Sequence, residues 1–220
     1  KKTMKDEIDE SKDIFGLFGA GGHGRETMDQ LKNLILEKRI DIDLKDTFFV
    51  ESKRQKKTIN NVCVLSKEEF ISLGNMNKSF NVAISDHNKR KQIANEFISK
   101  GIEPMSLVSQ LSDIGRDNEI GAGAIISQFS IITTNIKIGK FFHLNRHASV
   151  SHDCVVGDYV TFGPYAACSG NVIVEDGAYI GAGAIIKQGT NSNPLIIGEN
   201  SIIGMGAIVT KNVNAKEIVV

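Results

Sequence analysis

Five histidines, His23, His87, His143, His147 and His152, are the side chains here whose charge can change near neutral pH. Three of them, His143, His147 and His152, fall within ten residues, and Asp153 follows the last directly. A carboxylate beside an imidazole can set its tautomer and raise its basicity, which suits a general base. The plain alternative is a surface histidine beside an incidental acid. Clustered histidines also raise a zinc site. A second concentration of chemistry is the run Gly19-Ala20-Gly21-Gly22-His23-Gly24. Glycines let a backbone approach a phosphate, and the N-terminus of a following helix favours negative charge there. Gly19, Gly21 and Gly24 also satisfy G-x-G-x-x-G, so an NAD-dependent oxidoreductase is a rival reading. Cys63, Cys154 and Cys168 form no close pair and read as buried thiols, not as a disulfide or a metal set.

A repeat must position the histidine cluster. From Ile114 to Ile186 every sixth residue is apolar, Ile132, Leu144, Val150, Phe162 and Cys168 among them. The residue after each is mostly small or polar, and the fifth of each unit is compact. A period of six fits neither a helix nor a hairpin meander and marks a stacked repeat. The expected structure is a β-helix of triangular section. Each hexapeptide gives one short side and one corner, with the aliphatic residue inward and a small residue easing the turn. One side cannot bury its aliphatic residue alone, so coils stack on their neighbours. Residues eighteen apart then lie over one another, which places His143, His147 and His152 on no common edge and argues against zinc. Ser151-His152-Asp153-Cys154 falls at a corner, where side chains project outward, while Cys154 and Cys168 sit at inward positions. The phase breaks at residues 188–194, read as a loop, and resumes at Ile197, Ile203 and Val209. Lys211 to Val220 reads as leaving the repeat and capping the open coil.

Ahead of the repeat the pattern is α/β. Ile14 to Phe18 reads as a buried strand leading into the glycine run, and Arg25 to Lys38 as a helix with Met28, Leu31 and Ile35 on its buried face. Further strands are expected at Thr47 to Val50, ending at Glu51, at Val62 to Leu65, and at Phe80 to Asp86. Helices are expected at Lys67 to Leu73 and at about Asn88 to Lys100, the latter burying Ile93, Ala94, Phe97 and Ile98. Pro104 marks a boundary. The reading is therefore a polar, mobile segment at 1–12, a Rossmann-like domain at 13–104 and a β-helix at 105–220. A dinucleotide site needs two mononucleotide halves. The parallel pattern here stops after about one, which favours a single nucleotide moiety over NAD.

Of the 220 residues, 41% are hydrophobic and 24% charged, and 26 Lys and Arg balance 26 Asp and Glu. No global field favours nucleic acid or an anionic membrane. The charged N-terminus lacks the apolar core of a signal peptide, and no apolar run reaches the ~20 residues of a membrane span, so a soluble cytoplasmic protein is expected.

The hexapeptide pattern resembles the hexapeptide-repeat acyltransferases, which build a left-handed parallel β-helix with three hexapeptides per coil. The glycine run, Ser85-Asp86, the stretch Val150-Ser151-His152-Asp153-Cys154-Val155-Val156-Gly157 and the stretch from Gly163 to Val172 together resemble the nucleotide-sugar acyltransferases. That family includes the bacillosamine and perosamine N-acetyltransferases and the sialic acid O-acetyltransferases, and the likeness spans about residues 13–215.

The resemblance implies acetyl-CoA as co-substrate and no metal. It implies a UDP- or dTDP-linked amino sugar as acceptor, and a homotrimer acting in polysaccharide biosynthesis. His152 would take a proton from the sugar 4-amino group as it attacks the thioester, with Asp153 orienting the ring. Gly19, Gly21, Gly22, His23, Gly24, Ser85 and Asp86 would hold the nucleotide. Glu51 stands where an Asp pair is common, and Asn145 matches a position lining the sugar pocket. Gly170, Gly181, Gly204 and Gly206 fall where pantetheine lies against bare backbone, and Thr161 where some members carry a second histidine. Transfer to a sugar hydroxyl, a non-catalytic nucleotide-sugar-binding scaffold and a metal-dependent hydratase are the alternatives.

Overall fold

The computed structural model describes residues 9, 11–74 and 77–220, so most of the 1–12 segment lies outside the described residues. By contact the chain divides into two compact units. The first runs to Ile84 and includes Lys89–Met105; the second takes in Ser85–Asn88 and Ser106–Val220. Residues 85–88, assigned from sequence to the first domain, therefore associate with the second.

The first unit holds β1 (Ile14–Phe18), α1 (Gly22–Leu36), β2 (Thr47–Glu51), β3 (Thr58–Ile59), β4 (Val62–Ser66), α2 (Lys67–Ile71), β5 (Lys78–Val82), all but the first two residues of α3 (His87–Ser99), and β6 (Glu103–Pro104). They form one sheet in the order β3-β4-β2-β1-β5-β6. Every pairing is parallel except β3 with β4. All five residues of β1 are buried, as a central parallel strand covered on both faces requires. A capping box between Ser66 and Glu69 starts α2. Several expectations need correction. β5 ends at Val82, so Ser85 and Asp86 lie beyond the strand. In α1 it is Leu34, with Met28 and Leu31, that is buried, and in α3 Ile98 is exposed while Arg90 is wholly buried. The Arg90 guanidinium donates to the Ile84 carbonyl (2.6 Å), because an enclosed cation must find a fixed acceptor.

The second unit is the expected left-handed β-helix. Its short strands fall into three parallel stacks, each register step eighteen residues long: Ile125↔His143↔Thr161, Ile131↔Ser149↔Ala167 and Lys137↔Val155↔Ile173. Across the 188–194 loop the step grows by the five inserted residues, as at Tyr179↔Ile202 and Ile185↔Ile208. The tail does not leave the repeat as the reading expected. Ile218–Val219 pairs parallel with Ile202–Ile203 and extends the first stack. One core runs through the coils, with Leu144, Val150, Val156, Phe162, Ile180 and Ile186 buried and Ala148, Ala166 and Ala184 filling the space between. The aliphatic residue that opens each unit supplies bulk and the compact fifth residue fills the space between.

Glycine after the aliphatic residue has a different cause from the one expected. The left-handed conformation falls two residues later, on Asp117, Phe129, Phe141, His147, Asp153, Tyr159, Tyr165 and Asn171 as well as on Gly123, Gly177, Gly183 and Gly206. Gly163 and Gly181 are bare because a Cβ would stand 2.7 Å from backbone atoms of the next coil. Coil spacing, not turn geometry, excludes a side chain there.

Candidate active site

The corner after Val150 holds a close acid–imidazole pair. His152 Nδ1 lies 2.7 Å from Asp153 Oδ2, with both side chains a little under half exposed (45% and 43%). An ionised Asp153 accepts from Nδ1–H, which leaves the Nε2 lone pair to take a proton. Asp153 is itself fixed by the stack. Its φ is 60°, and its backbone N–H donates to the Thr134 carbonyl one coil earlier (3.2 Å). The His152 carbonyl accepts from Asn171 N–H of the next coil (3.0 Å). The pair is thus bolted to coils on either side.

Gly170 stands eighteen residues beyond His152. A Cβ on it would lie 2.4 Å from His152 Cε1, 2.6 Å from Nε2 and 2.8 Å from Nδ1. The imidazole occupies the space a side chain would need. Beneath the corner Cys154 and Cys168 are buried, and both thiols donate to the Ser169 carbonyl (3.2 and 3.6 Å). A hydrogen bond to Cys154, then burial, push the Cys168 thiol well above the ordinary range.

The other residues named from sequence do not share that corner. Asn145 sits on the corner before the second stack, where its Nδ2 donates to the Phe162 carbonyl (2.7 Å). Gly181, Gly204 and Gly206 lie on this same edge. Phe129, His147 and Tyr165 stack beside them, with ring centroids 5.2 and 4.6 Å apart. Thr161 is buried in the first stack, paired in register with His143. Nine residues is half a coil, so Thr161 stands across the triangle from His152. Within one chain, then, Gly170 joins the dyad, while Asn145, Gly181, Gly204 and Gly206 flank the opposite edge of the second stack. Sequence reasoning missed the aromatic ladder, although its eighteen-residue spacing was there to be read.

In the first unit the glycine run folds as its composition demands. Gly19 has φ 100° and donates to the Val50 carbonyl (2.9 Å). A Cβ on Gly24 would fall on the Gly19 carbonyl, whereas Gly21 and Gly22 face open space. Gly21 caps α1 with no side-chain acceptor, and the first turn carries no acid. A helix start of this kind favours an anion. His23 lies in that turn and its carbonyl accepts from Thr27 Oγ1 (2.8 Å). Glu51 closes β2, in register with Ser66. Ser85 and Asp86 follow the Ile84 carbonyl that Arg90 grips. Among the described residues no cluster of three His, Cys, Asp or Glu side chains could hold a metal ion. No described helix is long and apolar enough to cross a membrane.

Known proteins match over both units. The PglD N-terminal domain family matches residues 15–97. A GDP-perosamine N-acetyltransferase of Escherichia coli O157:H7 is 44% identical over 187 residues, 84% of this chain and 82% of that protein. The structure of WeeI from Acinetobacter baumannii AYE is 40% identical and superposes with a TM-score of 0.88 over 94% of this chain and 96% of that one. PerB from Caulobacter crescentus, solved with CoA and GDP-perosamine, is 21% identical (TM-score 0.80, over 93% and 92%) and shares the fold. An α/β unit with an open glycine turn, a hexapeptide β-helix with an acid–imidazole corner, and a 44% identical relative place this chain in the nucleotide-sugar acetyltransferase family.

Proposed function

We propose that this protein transfers the acetyl group of acetyl-CoA to the amino group, at C4, of a nucleotide-linked amino-deoxy sugar. The observation that carries the reading is the His152–Asp153 pair, outward-facing and with Nε2 free of hydrogen bonds among the described residues. The unprotonated amine attacks the thioester carbonyl carbon while His152 Nε2 removes a proton from the amine nitrogen. The tetrahedral adduct collapses, the C–S bond breaks, and the departing CoA sulfur receives that proton. A backbone N–H along the same edge stabilises the oxyanion. The buried cysteines take no part, so transfer is direct.

The glycine turn from Gly19 to Gly24 holds the nucleotide phosphates at the start of α1, with Glu51, Ser85 and Asp86 contributing further contacts. The sequence reading named UDP or dTDP. The 44% identity to a GDP-perosamine N-acetyltransferase makes a GDP-linked amino sugar the first substrate to try. The acyl-donor groove needs two walls, and of the glycines expected to line it Gly170 lies on one edge of the second stack while Gly181, Gly204 and Gly206 lie on the other. A homotrimer answers this, with the Asn145–Gly181 edge of one copy facing the His152–Gly170 edge of the next.

The test is thiol release from acetyl-CoA with a panel of GDP-, UDP- and dTDP-linked sugars. Release dependent on a 4-amino nucleotide sugar, with the acceptor gaining one acetyl group by mass spectrometry, is expected. Turnover only with hydroxyl acceptors, or none with any nucleotide sugar, overturns the reading.

A further inference from the structure

We infer that Gly170 is the positioning residue of the base: its missing side chain lets the His152 ring lie where Nδ1 meets Asp153. This rests on the reading of His152 as the base, and it differs from the role in binding the acyl donor that resemblance suggests for Gly170. The observation is steric. Three ring atoms of His152 lie within 2.8 Å of where a Gly170 Cβ would stand, closer than any real carbon contact allows. The neighbours cannot give way. Gly170 is buried, its carbonyl accepts from Gly189 N–H (3.0 Å), and the next residue, Asn171, binds the His152 carbonyl. The backbone of both residues is thus pinned across coils, and only the ring is free to move. Moving it stretches the 2.7 Å contact with Asp153, whose own backbone is held by Thr134.

No turn requirement explains this glycine. The left-handed position of the corner is the next residue, Asn171 (φ 56°), and Gly170 itself has no positive φ. The stack does not require it either, since the corresponding position one coil before His152 is Thr134, which carries a full side chain. A bare α-carbon is needed at 170 because an imidazole lies over it.

The experiment compares Gly170→Ala, His152→Ala and the double variant. Gly170→Ala is expected to lower kcat by about 10²-fold, the cost of a displacement near an ångström at a reacting group. KM for acetyl-CoA should change less than about threefold, and the melting temperature should drop. In the His152→Ala background the ring is gone, so adding Gly170→Ala should cost no further activity and should restore the lost melting temperature, a non-additivity expected of contacting residues. Independent, additive losses, or a rise in acetyl-CoA KM that persists without His152, would show Gly170 serving the acyl donor and overturn the inference. Unchanged kcat in Gly170→Ala overturns it as well. Unchanged turnover in His152→Ala alone removes the base reading instead, so the two failures are told apart.

Discussion

At the scale of residues, one imidazole and its carboxylate carry the proposed chemistry. His152→Ala should retain the fold and lower kcat by about 10²–10⁴-fold, the usual worth of a positioned base. Asp153→Asn keeps a hydrogen-bonding partner but removes the charge facing Nδ1, so it should lose less than His152→Ala. Steady-state rates beside far-ultraviolet circular dichroism measure both; near-normal turnover of His152→Ala would take the residue out of the mechanism. The thiols give a complementary test. Burial pushes the Cys63 thiol up to about 11, and the hydrogen bond with Cys154, then burial, hold Cys168 well above its ordinary range. At pH 8 about a thousandth of Cys63 is then ionised, so native alkylation of Cys63 should be slow and should quicken in urea. Rapid native labelling, or an acetylated enzyme seen by mass spectrometry after acetyl-CoA, would point to a cysteine route instead of direct transfer. Much at this scale could be read from the chain, since adjacency in sequence gives adjacency at a corner. The Gly170 contact could not, because it joins residues from different coils and shows only as a missing Cβ.

At the scale of elements, the repeat wrote itself into the sequence and the α/β unit did so less sharply. A hexapeptide period fixes which side chains enter the core, and Leu144, Val150, Phe162 and Ile180 do so. Ile180→Ala should cost about 2–5 kcal/mol in denaturant unfolding, because a coil pinned to both neighbours cannot collapse around the cavity. A loss below about 1 kcal/mol would mean that the stack relaxes freely. The reading erred where local pattern and tertiary packing part company. In α1, Leu34 and Ile35 are equally apolar, and only the sheet decides which is buried. In β5, apolar and small residues continue past Val82, but hydrogen-bonded pairing to β1 ends there. The glycines after each aliphatic residue were seen correctly and explained wrongly. Contact between coils, invisible in one hexapeptide, keeps them bare. The tail was misread for the same reason: Ile218–Val219 has no periodic partner in sequence, yet it finds Ile202–Ile203 in space.

At the scale of the whole molecule, every face of the β-helix exposes some apolar side chains, Ile202 and Ile218 on the first stack and Val155 on the third. The second stack exposes Ile131, Ile185 and Ile208, and the edge beside it adds Phe129, Tyr165 and Met205. The face between these residues and the His152 corner carries only Ser149 and Ala167 in its middle strands, small enough for a flat surface to press against it. An exposed apolar patch of this kind is stable when a partner covers it, and in the proposed trimer a second copy of this chain would bring the missing wall of the groove. Placing a lysine there sets burial of a charge against assembly. Ile185→Lys should leave the coil intact, because the side chain points away from the core, and should turn a trimer into monomers in light scattering. Activity should fall with assembly and return as protein concentration rises, since the variant weakens association without touching His152. A wild-type monomer with full activity would remove the trimer. A monomeric Ile185→Lys variant with full activity at every concentration would show that one chain builds the whole groove, and the division of Asn145 and Gly170 between two edges would then need another cause.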